Sequence, residues 1–221
     1  MPPPAERPWR PTREEVAAAR GRTVHDVIAH GLGVLFCGIN PGLYSGAVGH
    51  HFARPGNRFW KALHLSGFTK EILSPFEERA LLGYGLGITN LVERSTASAD
   101  ELSPEELRAG GRRLESKVRR WSPRFVAFLG VGAFRSAFDH SDARPGPQPD
   151  SFGGAGVWLL PNPSGLNAHY QLPELAQLFV ALRRATLTKP ARPSPSARPR
   201  PPRPSPRARV PPAPRGEAGS R

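Results

Sequence analysis

A chain of 221 residues with 31 Lys and Arg against 18 Asp and Glu carries a formal charge of +13, an excess that points to a polyanionic partner such as nucleic acid. Its single cysteine, Cys37, excludes an internal disulfide and a four-cysteine iron–sulfur cluster. No apolar stretch reaches the length of a membrane span or a secretory signal, so a soluble protein of the cell interior, with no membrane partner, is expected.

In chain order, residues 1–11 are proline-rich and read as a disordered N-terminus. Thr12 with Glu15 forms a capping box that opens a short helix through Arg20, and Val34 to Cys37 is the first buried strand. Asn57 can cap a helix over Arg58 to Ser66, ended by Gly67. Ser74 with Glu77 starts a helix toward Leu82, and Gly87 to Val92 reads as a strand. Ser103-Pro104-Glu105-Glu106 opens a helix to about Arg120, since proline suits the first helical position. Phe125 to Leu129 is an apolar strand, Ala133 to Phe138 a short helix, Val157 to Leu160 the last strand and Pro173 to Arg184 the closing helix. Alternating strands and helices predict an α/β fold: a three-layer α/β/α sandwich around a parallel sheet of about four strands. One domain is expected over residues 12–188. The tail over residues 189–221 holds nine basic residues against Glu217 and 11 of the 27 prolines, and reads as a disordered basic segment.

Chemistry concentrates after the first strand. Val34-Leu35-Phe36-Cys37 runs into Gly38-Ile39-Asn40-Pro41-Gly42, then a polar loop closed by Asn57-Arg58-Phe59-Trp60. At the carboxyl end of a buried parallel strand, such a turn lets backbone N–H groups and a short amide face a pocket. Cys37, on the strand itself, reads as an inert core thiol. The seven histidines show no H-x-x-x-H spacing, and neither a metal nor a cofactor is expected. No GxxxxGK[ST] or GxGxxG run follows a strand, which weighs against a nucleotide-binding domain.

The segments Gly38 to Leu43, Gly49-His50-His51-Phe52 and Pro55 to Lys61 resemble the first motif of the mismatch-specific uracil/thymine-DNA glycosylase family. Leu160-Pro161-Asn162-Pro163-Ser164-Gly165-Leu166 is similar to that family's DNA-inserting loop, and Gly87 to Arg94 to its central strand. The likeness spans Val34 to Arg184.

This resemblance implies that Asn40 positions the attacking water, because an amide cannot act as a general base at neutral pH. It places the Gly42 and Leu43 backbone N–H groups beside the departing base, in the manner of an oxyanion hole. Phe52 would stack on the extruded base, or is an ordinary core phenylalanine. Ser45 would meet the pyrimidine 5-position, leaving less room for a methyl group than alanine would. His51 either helps arrange water and charge beside the pocket or is a surface histidine bonded to the loop. Asn90 either faces the pocket or ends its strand as a turn residue. Ser164, Gly165, Leu166 and Asn167 correspond to the wedge that fills the space of a flipped nucleotide, the alternative being a Leu166 tucked under the last helix. Where the family carries an arginine after the wedge this chain has Ala168, which puts contacts to the unpaired guanine in doubt.

The function implied is a monofunctional DNA glycosylase. It would excise uracil, and thymine or modified pyrimidines, from mismatched duplex DNA, as a cytoplasmic, nucleoid-associated monomer that initiates base excision repair. The alternative is a non-catalytic DNA-binding module that keeps the fold.

Overall fold

The computed structural model describes residues 10–188; most of the expected disordered N-terminus and the whole basic tail lie outside the described residues. Among the described residues five strands form one sheet: β1 (Val34–Gly38), β2 (Leu86–Asn90), β3 (Phe125–Leu129), β4 (Gly146–Phe152) and β5 (Ala155–Leu160). Their order is β2-β1-β3-β5-β4. The first four in that order are mutually parallel, with Val34 opposite both Leu86 and Phe125 and Phe125 opposite Gly156. The expected parallel four are therefore present, and β4 is an addition, antiparallel to β5 at the sheet edge. It carries Pro147 and Pro149, is largely exposed and bears a register shift between Pro147 and Ser151. Proline cannot donate to a ladder and is tolerated in an edge strand, so its composition resembles a loop.

The helices are α1 (Arg13–Ala17), α2 (Leu43–Val48), α3 (Phe59–Leu65), α4 (Pro104–Trp121), α5 (Val131–Phe138) and α6 (Leu172–Leu187). The capping boxes at Thr12 and Ser103 form as predicted. The segment after Ser74 is a 3₁₀ stretch over Pro75–Tyr84 instead of an α-helix, with the Glu77 carboxylate accepting from the Ser74 N–H. Asn57 does not cap α3 from the adjoining position: Arg58 stands there, and Asn57 Oδ1 accepts from the Phe59 N–H across it. Helix α2 was not expected, because Gly46 breaks its pattern. That glycine is there for packing, as a Cβ would stand 2.8 Å from Ser95 Oγ.

Alternation along the strands sorts the two core layers. Val34, Phe36, Ile88, Ala127, Leu129 and Leu160 face α3 and α6, where Phe36 stacks on Phe179 with centroids 5.6 Å apart. Leu35, Cys37, Val126, Phe128 and Leu159 face α4 and α5. Each large side chain so buried contributes about 1.5–3 kcal/mol. The result is an α/β/α sandwich in which β1 lies between β2 and β3. Connections leave β1 toward one side and reach β3 on the other, so a crevice opens at the carboxyl ends of the strands.

Candidate active site

A cavity of about 430 Å³ occupies that crevice. Its wall takes Ile39 and Asn40 from the end of β1, Ser45 from α2, Asn90 from β2, Leu129 from β3 and Asn162 beyond β5; the loops supply His51, Phe52, Ser164, Leu166 and Asn167.

Asn40 is held by the segment after β2. Its Nδ2 donates to the Arg94 carbonyl at 3.0 Å and to Thr96 Oγ1 at 2.7 Å. A carbonyl only accepts, so the amide nitrogen must point that way. Thr96 Oγ1 spends its own proton on the Ser98 carbonyl at 2.7 Å and is left to accept from Asn40. With both amide hydrogens used, Oδ1 is free to accept a hydrogen bond from a molecule in the cavity. The Arg94 backbone is anchored in turn, since its guanidinium grips both Glu106 oxygens at 2.6 and 2.9 Å. That pairing and the Ser103 N–H push the Glu106 carboxyl down to about 2.

His51 is 2 % exposed, which rules out the surface histidine of the alternative reading. Its Nε2 lies 3.0 Å from the His25 carbonyl and so carries the proton. Burial drives its pKa below the ordinary histidine value, against the opposing pull of the Glu78 carboxylate. In the neutral ring Nδ1 is a lone pair, which accepts from Asn90 Nδ2 at 3.3 Å. Asn90 is thus a buried, cavity-lining residue with a set orientation, more than a strand-ending turn. Gly38 makes room for it: a Cβ there would stand 2.5 Å from Asn90 Oδ1 and 3.3 Å from Phe52 Cζ.

Phe52 combines the two roles left open for it. Its ring packs against the core at 4.2 Å from Phe59 and also lines the cavity. Its φ of +51° is left-handed, a conformation that costs a non-glycine residue about 1–3 kcal/mol and persists only where the surroundings impose it. Among the described residues the other two non-glycine residues with positive φ, Ser122 and Asp139, are helix C-caps. Ser45 is buried and its Oγ accepts from the Ala53 N–H at 3.1 Å, fixing the far end of the bend.

One expected donor is corrected. The Leu43 N–H donates to the Thr96 carbonyl at 3.1 Å, because the chain pairs Gly42 with Thr96 in a short bridge, and Leu43 does not line the cavity. Gly42 does, and it stands at the start of α2.

The segment Ser164 to Asn167, expected to form the wedge, is a loop held by hydrogen bonds. Asn162 Oδ1 accepts from the Ser164 N–H at 3.0 Å, Ser164 Oγ from the Leu166 N–H at 3.3 Å and Asn167 Oδ1 from the His169 N–H at 3.1 Å. The Arg58 guanidinium donates to the carbonyls of Gly165 at 3.0 Å, Asn167 at 3.1 Å and Tyr170. Gly165 approaches so closely that a Cβ would stand 2.7 Å from the Gly56 carbonyl oxygen. Leu166 at the tip is 73 % exposed, so it is not tucked under α6. Arg58, Thr96 and Asn162 were not singled out in the sequence: Arg58 acts through carbonyls more than 100 residues away, which no local pattern announces.

Cys37 is buried, and burial pushes its thiol strongly up, leaving it a core side chain. Among the described residues no three His, Cys, Asp or Glu side chains converge on a common point, and no helix is long and apolar enough to cross a membrane.

The architecture and the sequence both have relatives. The fold is similar to the solution NMR structure of a provisionally assigned uracil DNA glycosylase from Methanosarcina acetivorans: the TM-score is 0.53 at 16 % identity, covering 74 % of this chain and 97 % of that one. The model of the uracil DNA glycosylase superfamily matches residues 25–185, which takes in β1 to β5, the cavity and the Ser164–Asn167 loop. With the match extending over most of the chain, this protein belongs to the uracil DNA glycosylase superfamily.

Proposed function

We propose that this protein is a monofunctional DNA glycosylase that hydrolyses the N-glycosidic bond of uracil in mispaired duplex DNA, with thymine and modified pyrimidines as further substrates. Membership of the superfamily supports a DNA glycosylase. The observation that carries the narrower reading is the orientation of Asn40: both amide hydrogens are engaged by Arg94 and Thr96, and Oδ1 is left as an acceptor in the cavity.

A base inside a stacked duplex is out of reach, so the nucleotide swings out at a cost of a few kcal/mol, least for a mispaired base. Leu166, apolar and exposed on a braced loop, takes the vacated space. The extruded pyrimidine stacks on Phe52. Asn90 keeps one amide hydrogen and Oδ1 for a base edge that alternates acceptor and donor, as O4 and N3–H of uracil do. Asn40 Oδ1 holds a water against C1′. The C1′–N1 bond breaks with its electron pair going to the base, the water oxygen bonds C1′, and the water's proton is lost to solvent. Asn40 takes up no proton, so its contribution is placement. The Gly42 N–H is the remaining backbone candidate for stabilising the departing anion.

Duplexes carrying a single G·U, A·U or G·T pair, and single-stranded uracil DNA, incubated with the protein and treated with hot alkali, test this reading. Strand breaks at uracil in G·U duplex by the wild type, formed orders of magnitude more slowly by Asn40→Ala, are expected. An inactive wild type that still binds the duplex would return the protein to the class of non-catalytic DNA-binding modules.

A further inference from the structure

We propose that Glu78, which lies outside the cavity, is a positioning residue that clamps the bend carrying His51 and Phe52. The inference rests on the reading of the cavity as the base-excision site.

Glu78 belongs to the 3₁₀ stretch between α3 and β2 and is 6 % exposed, an uncommon place for a carboxylate unless it is fully engaged. Both oxygens are used on adjacent residues. Oε2 accepts from the His51 backbone N–H at 2.9 Å, and Oε1 accepts from His50 Nδ1–H at 2.9 Å. The His50 ring is packed edge-on against Phe76, two residues before Glu78, with centroids 4.9 Å apart. The 3₁₀ stretch therefore grips the chain one residue before the left-handed Phe52.

The consequences of that grip run into the cavity. Left-handed Phe52 needs an external restraint, and the restraint on its N-terminal side is the Glu78 bond to His51, matched on its C-terminal side by the Ser45 bond to Ala53. Releasing one end lets φ of Phe52 return toward the allowed negative region. The Phe52 ring would then leave Gly38 and Phe59, and the His51 ring would lose its register with the His25 carbonyl and Asn90. The role requires hydrogen-bond acceptors in fixed places and not a charge. His51 is kept neutral by burial despite the carboxylate, so removing that charge leaves its proton where it is.

Glutamine preserves the geometry. Its Oε1 accepts from the His51 N–H, and its Nε2 donates to His50 Nδ1 once that ring carries its proton on Nε2. Alanine preserves neither bond. The experiment compares single-turnover uracil excision from G·U duplex and duplex affinity for the wild type, Glu78→Ala and Glu78→Gln, with hydrogen exchange of the His51–Ala53 amides as a readout apart from activity. Glu78→Ala is expected to lose about 10- to 100-fold in rate, the scale of a small misplacement of reacting groups, with affinity within a few fold and faster exchange at His51. Glu78→Gln is expected to recover both rate and protection. Equal losses in both variants would overturn the clamp in favour of a role for the charge. A Glu78→Ala protein with wild-type rate and protection would overturn it outright. If Glu78→Ala does not fold, the glutamine variant decides: a folded Glu78→Gln protein with a strongly reduced rate overturns the proposal. An inactive wild type would count against the proposed function, while the exchange comparison would still report on the clamp.

Discussion

The side-chain amide of Asn40 donates to the backbone carbonyl of Arg94 at 3.0 Å, joining positions 54 residues apart in the chain. The bond turns an amide that could point either way into a one-directional acceptor. It also ties the end of β1 to the segment after β2, and through the Arg94 guanidinium to Glu106 on α4.

Asn40→Ala should therefore lower the single-turnover rate on G·U duplex by orders of magnitude while leaving duplex affinity within a few fold. Thr96→Val removes only the second acceptor, and a loss of about tenfold is expected, equivalent to about 1.4 kcal/mol. If Thr96→Val matched Asn40→Ala, the threonine would act directly on substrate and not through Asn40. Rates from rapid-quench single-turnover experiments decide between these outcomes.

Acid should weaken the protein through His51. Its folded-state pKa is depressed by burial, so as pH falls through the ordinary histidine value of about 6.5 the unfolded chain binds a proton that the folded chain refuses. Stability contributed by this residue is complete above that value and declines as pH drops below it toward the lower folded-state pKa. Urea midpoints between about pH 5 and pH 8 should show a slope in the wild type that is shallower in His51→Gln. Equal slopes would mean that the imidazole does not resist protonation.

Ser45→Ala combines two effects. The hydroxyl accepts from the Ala53 N–H at 3.1 Å, and its loss should cost about 1 kcal/mol of stability. Removing it also makes space in the cavity, so the ratio of G·T to G·U excision should rise. An unchanged ratio, measured on both duplexes at saturating protein, would move Ser45 away from the pyrimidine 5-position.

Leu166→Ala should slow excision from duplex G·U strongly and affect single-stranded uracil much less, because an unstacked base leaves no hole to fill. Arg58→Ala should act in the same direction by releasing the carbonyls of Gly165, Asn167 and Tyr170. Comparable losses on both substrates would assign the loop to chemistry and not to extrusion.

Gly38→Ala should impair the cavity by displacing Asn90, since its Cβ would stand 2.5 Å from Asn90 Oδ1. Reduced uracil excision, with folding intact by circular dichroism, is the expected result. Wild-type activity would show that Asn90 can shift without consequence.

The amino-acid sequence alone carried the layer plan, because buried parallel strands must be apolar and the long helix between β2 and β3 announces itself by its capping box. Phe125–Leu129 and the helix opened by Ser103-Pro104 follow from such local rules. It also carried the cavity's principal members, Asn40, Ser45, His51, Phe52 and Asn90, through motif resemblance. Strand β4 escaped notice because an edge strand can be built from prolines and polar residues, its pairing being supplied by β5. Only the tertiary structure assigned Leu43's N–H to Thr96, buried His51 against the His25 carbonyl, left Leu166 in solvent and brought Arg58 and Glu78 to their partners. These are hydrogen bonds and burials between segments remote in the chain. Their energies depend on which groups the fold removes from water together, and that is decided only when the strands have taken their order.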